Sequence, residues 1–211
     1  MYDSSSTVPT IHVKADGQDQ PVTDHPYDTI AVKEVDAHTI QIVTKKNGKT
    51  ASEQTRTASE DGKALTVKTT SHPPDSDQTT TAEVTAERVG KSPPGAHATS
   101  GSWRIQNFNE SENGLLETFK GSSDELTCST PTGMAWTAKA DGSDYPVKGT
   151  YSYDSLSLKQ IDDRTIDLSY KRGGKLITVA RRTISPDGKK MTEVYQDKLT
   201  GRVSTYFADK Q

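Results

Sequence analysis

Two short turns carry the same pair of carboxylates. Asp16-Gly17-Gln18-Asp19 and Asp141-Gly142-Ser143-Asp144 each set two acidic side chains around a glycine that frees the backbone to swing its carbonyls inward. Hard oxygen donors at that spacing suit Ca²⁺ at modest affinity, which makes Asp16, Asp19, Asp141 and Asp144 the candidate metal ligands. No third carboxylate or distal Glu follows, so an ordinary hairpin turn is the competing reading. Arg182 is the second candidate. On the run from Lys175 to Ile184, adjacent Arg181 and Arg182 point to opposite faces of a strand, and one of them must face inward. An inward Arg182 calls for an anion, either a ligand carboxylate held bidentately or an Asp or Glu across the sheet.

Recognisable catalytic patterns are missing. The chain has no G-x-S-x-G elbow, no H-E-x-x-H, no P-loop and no G-x-G-x-x-G. His12, His25, His38, His72 and His97 all precede Gly101, and Cys128 has no neighbouring His, so it reads as a small buried side chain. What remains for chemistry is aromatic. Trp103, Trp136, Tyr153, Tyr170 and Tyr206, with Arg182, are the candidate ligand-binding residues; the same aromatics also serve as plain core.

These residues sit in an internal repeat. Lys14-Ala15-Asp16-Gly17 recurs as Lys139-Ala140-Asp141-Gly142, and from Tyr27/Tyr153 onward the two stretches run in register at an offset of 126. Thr39-Ile40/Thr165-Ile166, Gly48-Lys49/Gly174-Lys175, Arg56-Thr57/Arg182-Thr183 and Asp61-Gly62-Lys63/Asp187-Gly188-Lys189 all match. Ahead of its repeat the first copy has only 13 residues, so either it lost its leading strands or the chain is a fragment of something longer. Prolines and glycines between Val89 and His97 mark the seam, which predicts a truncated meander over 1–90, a linker over 91–99 and a complete unit over 100–211.

Composition limits the classes. Of 211 residues only 34 are Leu, Ile, Val or Phe, whereas 50 are Thr or Ser, a balance suited to thin, wet-faced strands rather than to a large core. A net charge of −3 and no basic run longer than two residues give no reason to expect nucleic acid. No apolar run approaches the roughly 20 residues of a membrane span, Met1 to Ser6 lack a signal-peptide layout, and one cysteine forbids an intrachain disulfide.

Apolar residues alternate at period two, as in Leu156/Leu158, Ile166/Leu168/Tyr170, Ile30/Val32 and Ile40/Ile42. Asn47-Gly48, Gly173-Gly174, Asp61-Gly62 and Asp187-Gly188 supply hairpin turns between such runs. The fold class expected is therefore all-β: antiparallel meanders from a duplication, the second closing into an up-and-down barrel, with strands near 101–108, 115–120, 124–129, 134–140, 145–148, 154–161, 164–171, 175–184, 189–196 and 202–207.

Gly101-Ser102-Trp103 at the head of this meander resembles the G-x-W signature of the calycins, the lipocalins and fatty-acid-binding proteins, and the hairpin from Asp187 to Tyr206 is similar to their last one. Ser204 stands where the fatty-acid binders carry an Arg. The duplicated pattern also resembles bacterial β-proteins of exported type, which implies an extracytoplasmic (periplasmic or secreted) setting. The resemblance implies a barrel holding a small amphiphile or acyl compound. The alternatives are a hydrolase of acyl lactones or esters, with Ca²⁺ polarising the carbonyl, and a structural surface repeat. The shortened first meander leaves an open edge, to be covered by the companion unit or by a second chain in a homodimer.

Overall fold

The computed structural model describes residues 11–90, 92, 94–122 and 124–211. Among the described residues the protein is all-β, 58% strand, in two antiparallel meander sheets of seven and nine strands, one of them strongly curled into a half-barrel. Among the described residues the chain divides into two compact units, 11–116 with 130–132, and 117–129 with 133–211.

The first sheet runs in chain order through β1 (Gln20–Pro21), β2 (Thr29–Glu34), β3 (Thr39–Lys46), β4 (Lys49–Ala58), β5 (Ala64–Ser71), β6 (Thr80–Arg88) and β7 (Trp103–Glu110). Its core is small: Ala58, Leu65 and Ala86, with Val67, Ala98 and Trp103 packed against them. Ile30 and Ala31 on β2 and Thr44 on β3 are also buried, and the threonine-rich remainder of the sheet is half-buried or exposed, as few large apolar side chains predict.

The strand bearing Trp103, expected to open the second meander, is instead the last strand of the first. It pairs antiparallel with β6 from Ala82↔Glu110 to Arg88↔Trp103. The reason is a clamp. Arg88 donates to the carbonyls of Ala98 and Ser100 at 2.6 Å each, and its guanidinium lies 4.0 Å from the centre of the Trp103 ring. The connection is thereby folded back onto the strand it leaves. Gly101, at φ +116°, gives Arg88 room, since a Cβ there would stand 2.6 Å from Nη1.

A one-turn helix, α1 (Glu112–Leu115), follows β7. The second sheet then runs through β8 (Thr118–Gly121), β9 (Glu125–Ser129), β10 (Ala135–Lys139), β11 (Asp141–Lys148), β12 (Ser155–Asp162), β13 (Thr165–Arg172), β14 (Lys175–Ile184), β15 (Lys190–Asp197) and β16 (Val203–Asp209). The nine expected strands from β8 onward are present within a few residues at each end. Among the described residues no ladder joins β8 to β16, so the curl stops short of hydrogen-bonded closure.

Positions 125 or 126 apart make the same contacts in both sheets. Lys45 donates to Asp19 and Lys171 to Asp144, each at 2.6 Å. Asp28 accepts the Asn47 N–H, and Asp154 accepts the Gly173 N–H. Ser59 with Asp61, and Ser185 with Asp187, close equivalent turns.

Candidate functional site

Registers across the second sheet sort its side chains onto two faces. Paired residues share a face, so Phe119↔Cys128, Cys128↔Trp136, Trp136↔Val147, Leu156↔Tyr170, Leu168↔Ala180, Ile166↔Arg182, Arg182↔Glu193 and Glu193↔Tyr206 lie on one surface. That surface is concave. Arg182 on β14 reaches Glu117, just ahead of β8, and Phe119 on β8, although β14 and β8 are six places apart in the sheet. Curl alone brings them together.

At its centre the concave face is filled. Cys128, Leu156 and Leu168 are fully buried, and Trp136, Ala138, Leu158, Tyr170 and Ala180 pack with them. Toward β15 and β16 it opens along a row of tyrosines: Tyr153 to Tyr170 at 4.7 Å between ring centres, Tyr170 to Tyr195 at 6.5 Å, and Tyr195 to Tyr206 edge-on at 6.5 Å. The Tyr153 and Tyr195 hydroxyls hydrogen-bond each other. Tyr170 is buried while Tyr206 is 54% exposed, so the row runs from core to solvent.

Arg182 faces inward and is 5% exposed, whereas Arg181 faces outward and forks onto Asp167 at 2.7 and 2.8 Å. The counter-anions of Arg182 are the protein's own: Nε donates to Glu193 at 2.7 Å and Nη2 lies 3.2 Å from Glu117. Its CZ sits 5.1 Å from the Phe119 ring centre. Nη1 has no hydrogen-bond partner, and neither has the buried Nε1 of Trp136. Both orphans are donors, and a buried donor without an acceptor is costly.

Charge shapes the surroundings. Burial works against the charge on Arg182, but the Glu117 and Glu193 carboxylates offset it, and its proton is held above the ordinary arginine value. Burial, and then Glu117, push the Cys128 thiol up to about 12, so at neutral pH it is protonated and a poor nucleophile. Burial likewise raises Tyr170 and Tyr195, the latter helped by Tyr153. These phenols stay neutral hydrogen-bonding groups.

Of the residues singled out in the sequence, Trp136, Tyr153, Tyr170, Arg182 and Tyr206 come together on this one face. Trp103 does not join them. It belongs to the core of the first sheet, where its Nε1 donates to the Thr99 carbonyl at 3.0 Å. The four aspartates are engaged locally. Asp16 accepts the Gln18 N–H at 3.0 Å, and Asp141 accepts from the Ser143 N–H at 2.8 Å and the Tyr145 hydroxyl at 2.9 Å. Asp19 and Asp144 hold Lys45 and Lys171. Among the described residues no three of His, Cys, Asp and Glu are grouped as metal donors.

Glu117, Cys128, Glu193 and Tyr195 complete the face with Phe119 and were not singled out as site residues. A signal existed in the repeat. Glu193 and Tyr195 stand where the first copy has Val67 and Thr69, and Tyr170 stands where it has Thr44. Arg56, the counterpart of Arg182, is correspondingly only half-buried and has neutral Gln54 as its hydrogen-bond partner. Comparison with protein-family models, curated proteins and solved structures finds no match for this chain.

Proposed function

We propose that the chain is a binding protein whose curled sheet takes a small uncharged acyl compound, such as an ester or lactone, at the tyrosine-lined end of its concave face. The observation that carries this reading is the buried Nη1 of Arg182, a donor with no acceptor beside an aromatic row that reaches solvent. A carbonyl oxygen satisfies such a donor. A fatty-acid carboxylate suits it less, because Glu117 and Glu193 already set two carboxyl groups against one guanidinium. Tyr206 and Tyr195 would flank the acyl chain, in keeping with sites that combine apolar walls with a few placed polar groups. The reading includes an extracytoplasmic setting and association with a second copy of the chain through an open sheet edge.

The test is a fluorescence titration of a Trp103→Phe variant, in which Trp136 alone reports, with an acyl lactone, the matching fatty acid and the matching alcohol. The lactone should give a saturable change at the lowest concentration, and Tyr206→Ala should weaken it about tenfold, equivalent to about 1.4 kcal/mol. No saturable response to any of the three removes the reading. Release of the ring-opened acid above the buffer rate would instead favour the hydrolase.

A further inference from the structure

Each sheet has two edges, and they are not equally protected. β1 is two residues long and contains Pro21, β8 has four residues ending in Gly121, and the β6–β7 ladder carries a register shift. Short strands, prolines and bulges are the devices that keep an edge from pairing. β16 has none of them. Its seven residues pair with β15 in unbroken register, and no strand among the described residues lies beyond it.

The backbone of β16 can be read by alternation. Asp197 N–H donates to the Arg202 carbonyl and Lys210 N–H to the Lys189 carbonyl, so residues 202, 204, 206, 208 and 210 direct their peptide groups at β15. Val203, Thr205, Phe207 and Asp209 therefore turn theirs outward. The side chains of these same residues lie on the convex face, where Val203 is 59% and Phe207 80% exposed. A row of free peptide groups and two large apolar side chains thus share one edge.

We infer that β16 is a self-association edge: two copies of the chain pair through it, antiparallel, about a two-fold axis at Thr205. This assignment rests on the proposed association and names its edge and register; it is independent of ligand binding. Outward-facing residues must pair with one another, which restricts the registers that centre on the strand. In the register about Thr205, Thr205 faces its own copy and Val203 faces Phe207 of the other chain, twice by symmetry. Sliding the pair so that Thr205 meets Phe207 would set Val203 against Asp209, an apolar side chain against a carboxylate. The two-fold register buries the exposed apolar pairs and leaves Asp209 at the ends, where it already holds Lys190 at 2.8 Å. It also joins the two nine-stranded sheets edge to edge.

Light-scattering mass and sedimentation over a concentration series test this on the 211-residue chain. The parent should move from monomer to dimer as concentration rises. Thr205→Pro removes only an outward N–H and should abolish the dimer while leaving circular dichroism unchanged. Thr205→Cys is the second arm. Facing Cα atoms of a hydrogen-bonded antiparallel pair lie about 5.5 Å apart, within disulfide reach, so mild oxidation should link two chains through Thr205→Cys and not through Val203→Cys. A monomer at every concentration overturns both the association and its edge. A dimer that survives Thr205→Pro, or that cross-links at Val203→Cys alone, keeps the association and overturns the assignment to β16. A ladder of larger oligomers overturns the closed two-fold in favour of head-to-tail pairing.

Discussion

Replacing Arg182 by methionine should unfold the curled sheet more than any other single change on its concave face. The substitution keeps the length of the side chain and strands Glu117 and Glu193 without their counter-charge. Breaking a buried ion pair by removing one partner costs about 3–5 kcal/mol. Glu193 is 13% exposed and Glu117 26%, so part of the stranded charge can turn to water, and the lower figure, about 3 kcal/mol, is the one this geometry supports. For a unit of this size each kcal/mol shifts the melting midpoint by about 4–8 °C, which predicts a fall of at least about 12 °C. Urea unfolding read at Trp136 in the Trp103→Phe background measures the loss. Adding Glu117→Gln and Glu193→Gln to Arg182→Met should return more than half of the loss. A variant within about 0.5 kcal/mol of its parent, or a loss that the two Glu→Gln changes do not reduce, would refute the electrostatic account of the cluster.

Two further outcomes follow from local geometry. A Cβ on Gly149, at φ +70°, would stand 2.0 Å from the Gly133 carbonyl oxygen, whereas one on Gly142, at φ +77°, meets nothing within 4 Å. Gly142→Ala should cost about 1 kcal/mol, from backbone strain alone, and Gly149→Ala at least about 3 kcal/mol. Equal losses in thermal unfolding would show that the close approach is not what holds Gly149 in place. Turn hydrogen bonds hold Asp36, Asp61, Asp162 and Asp187 below the usual carboxylate range: the His38 and Arg164 N–H groups for Asp36 and Asp162, the Ser59 and Ser185 hydroxyls for Asp61 and Asp187. Their folded values are depressed, so the stability they contribute is present above the unfolded carboxyl value and is lost as pH falls through the folded ones. Stability against pH should decline on the acid side, and less so when Asp187→Asn and Asp61→Asn are combined; an unaltered acid limb would contradict this.

Much of the fold was legible along the chain. Strands expected over 154–161, 164–171 and 175–184 are found at Ser155–Asp162, Thr165–Arg172 and Lys175–Ile184, because period-two alternation and Gly-containing turns report on each strand without reference to its neighbours. The inward turn of Arg182 was legible for the same reason, as one of two adjacent arginines on a strand must face in. The place of Trp103 was not. Gly101-Ser102-Trp103 reads as the start of a strand, and its pairing with β6 depends on Arg88 closing the connection behind it.

The candidate site divides along the same line. Alternation, turn chemistry and the differences between the two repeats are local quantities, and from them the chain's residues alone specify an antiparallel meander with Tyr170, Arg182 and Tyr206 on one face. That Glu117 and Phe119 meet Arg182, that Cys128 is sealed beneath them, and that Nη1 is left without an acceptor depend on curl accumulated over six strand positions. Twist adds a small rotation at every strand, and only their sum brings β8 against β14. No window of sequence contains that sum, and so the partners of Arg182 belong to the tertiary structure.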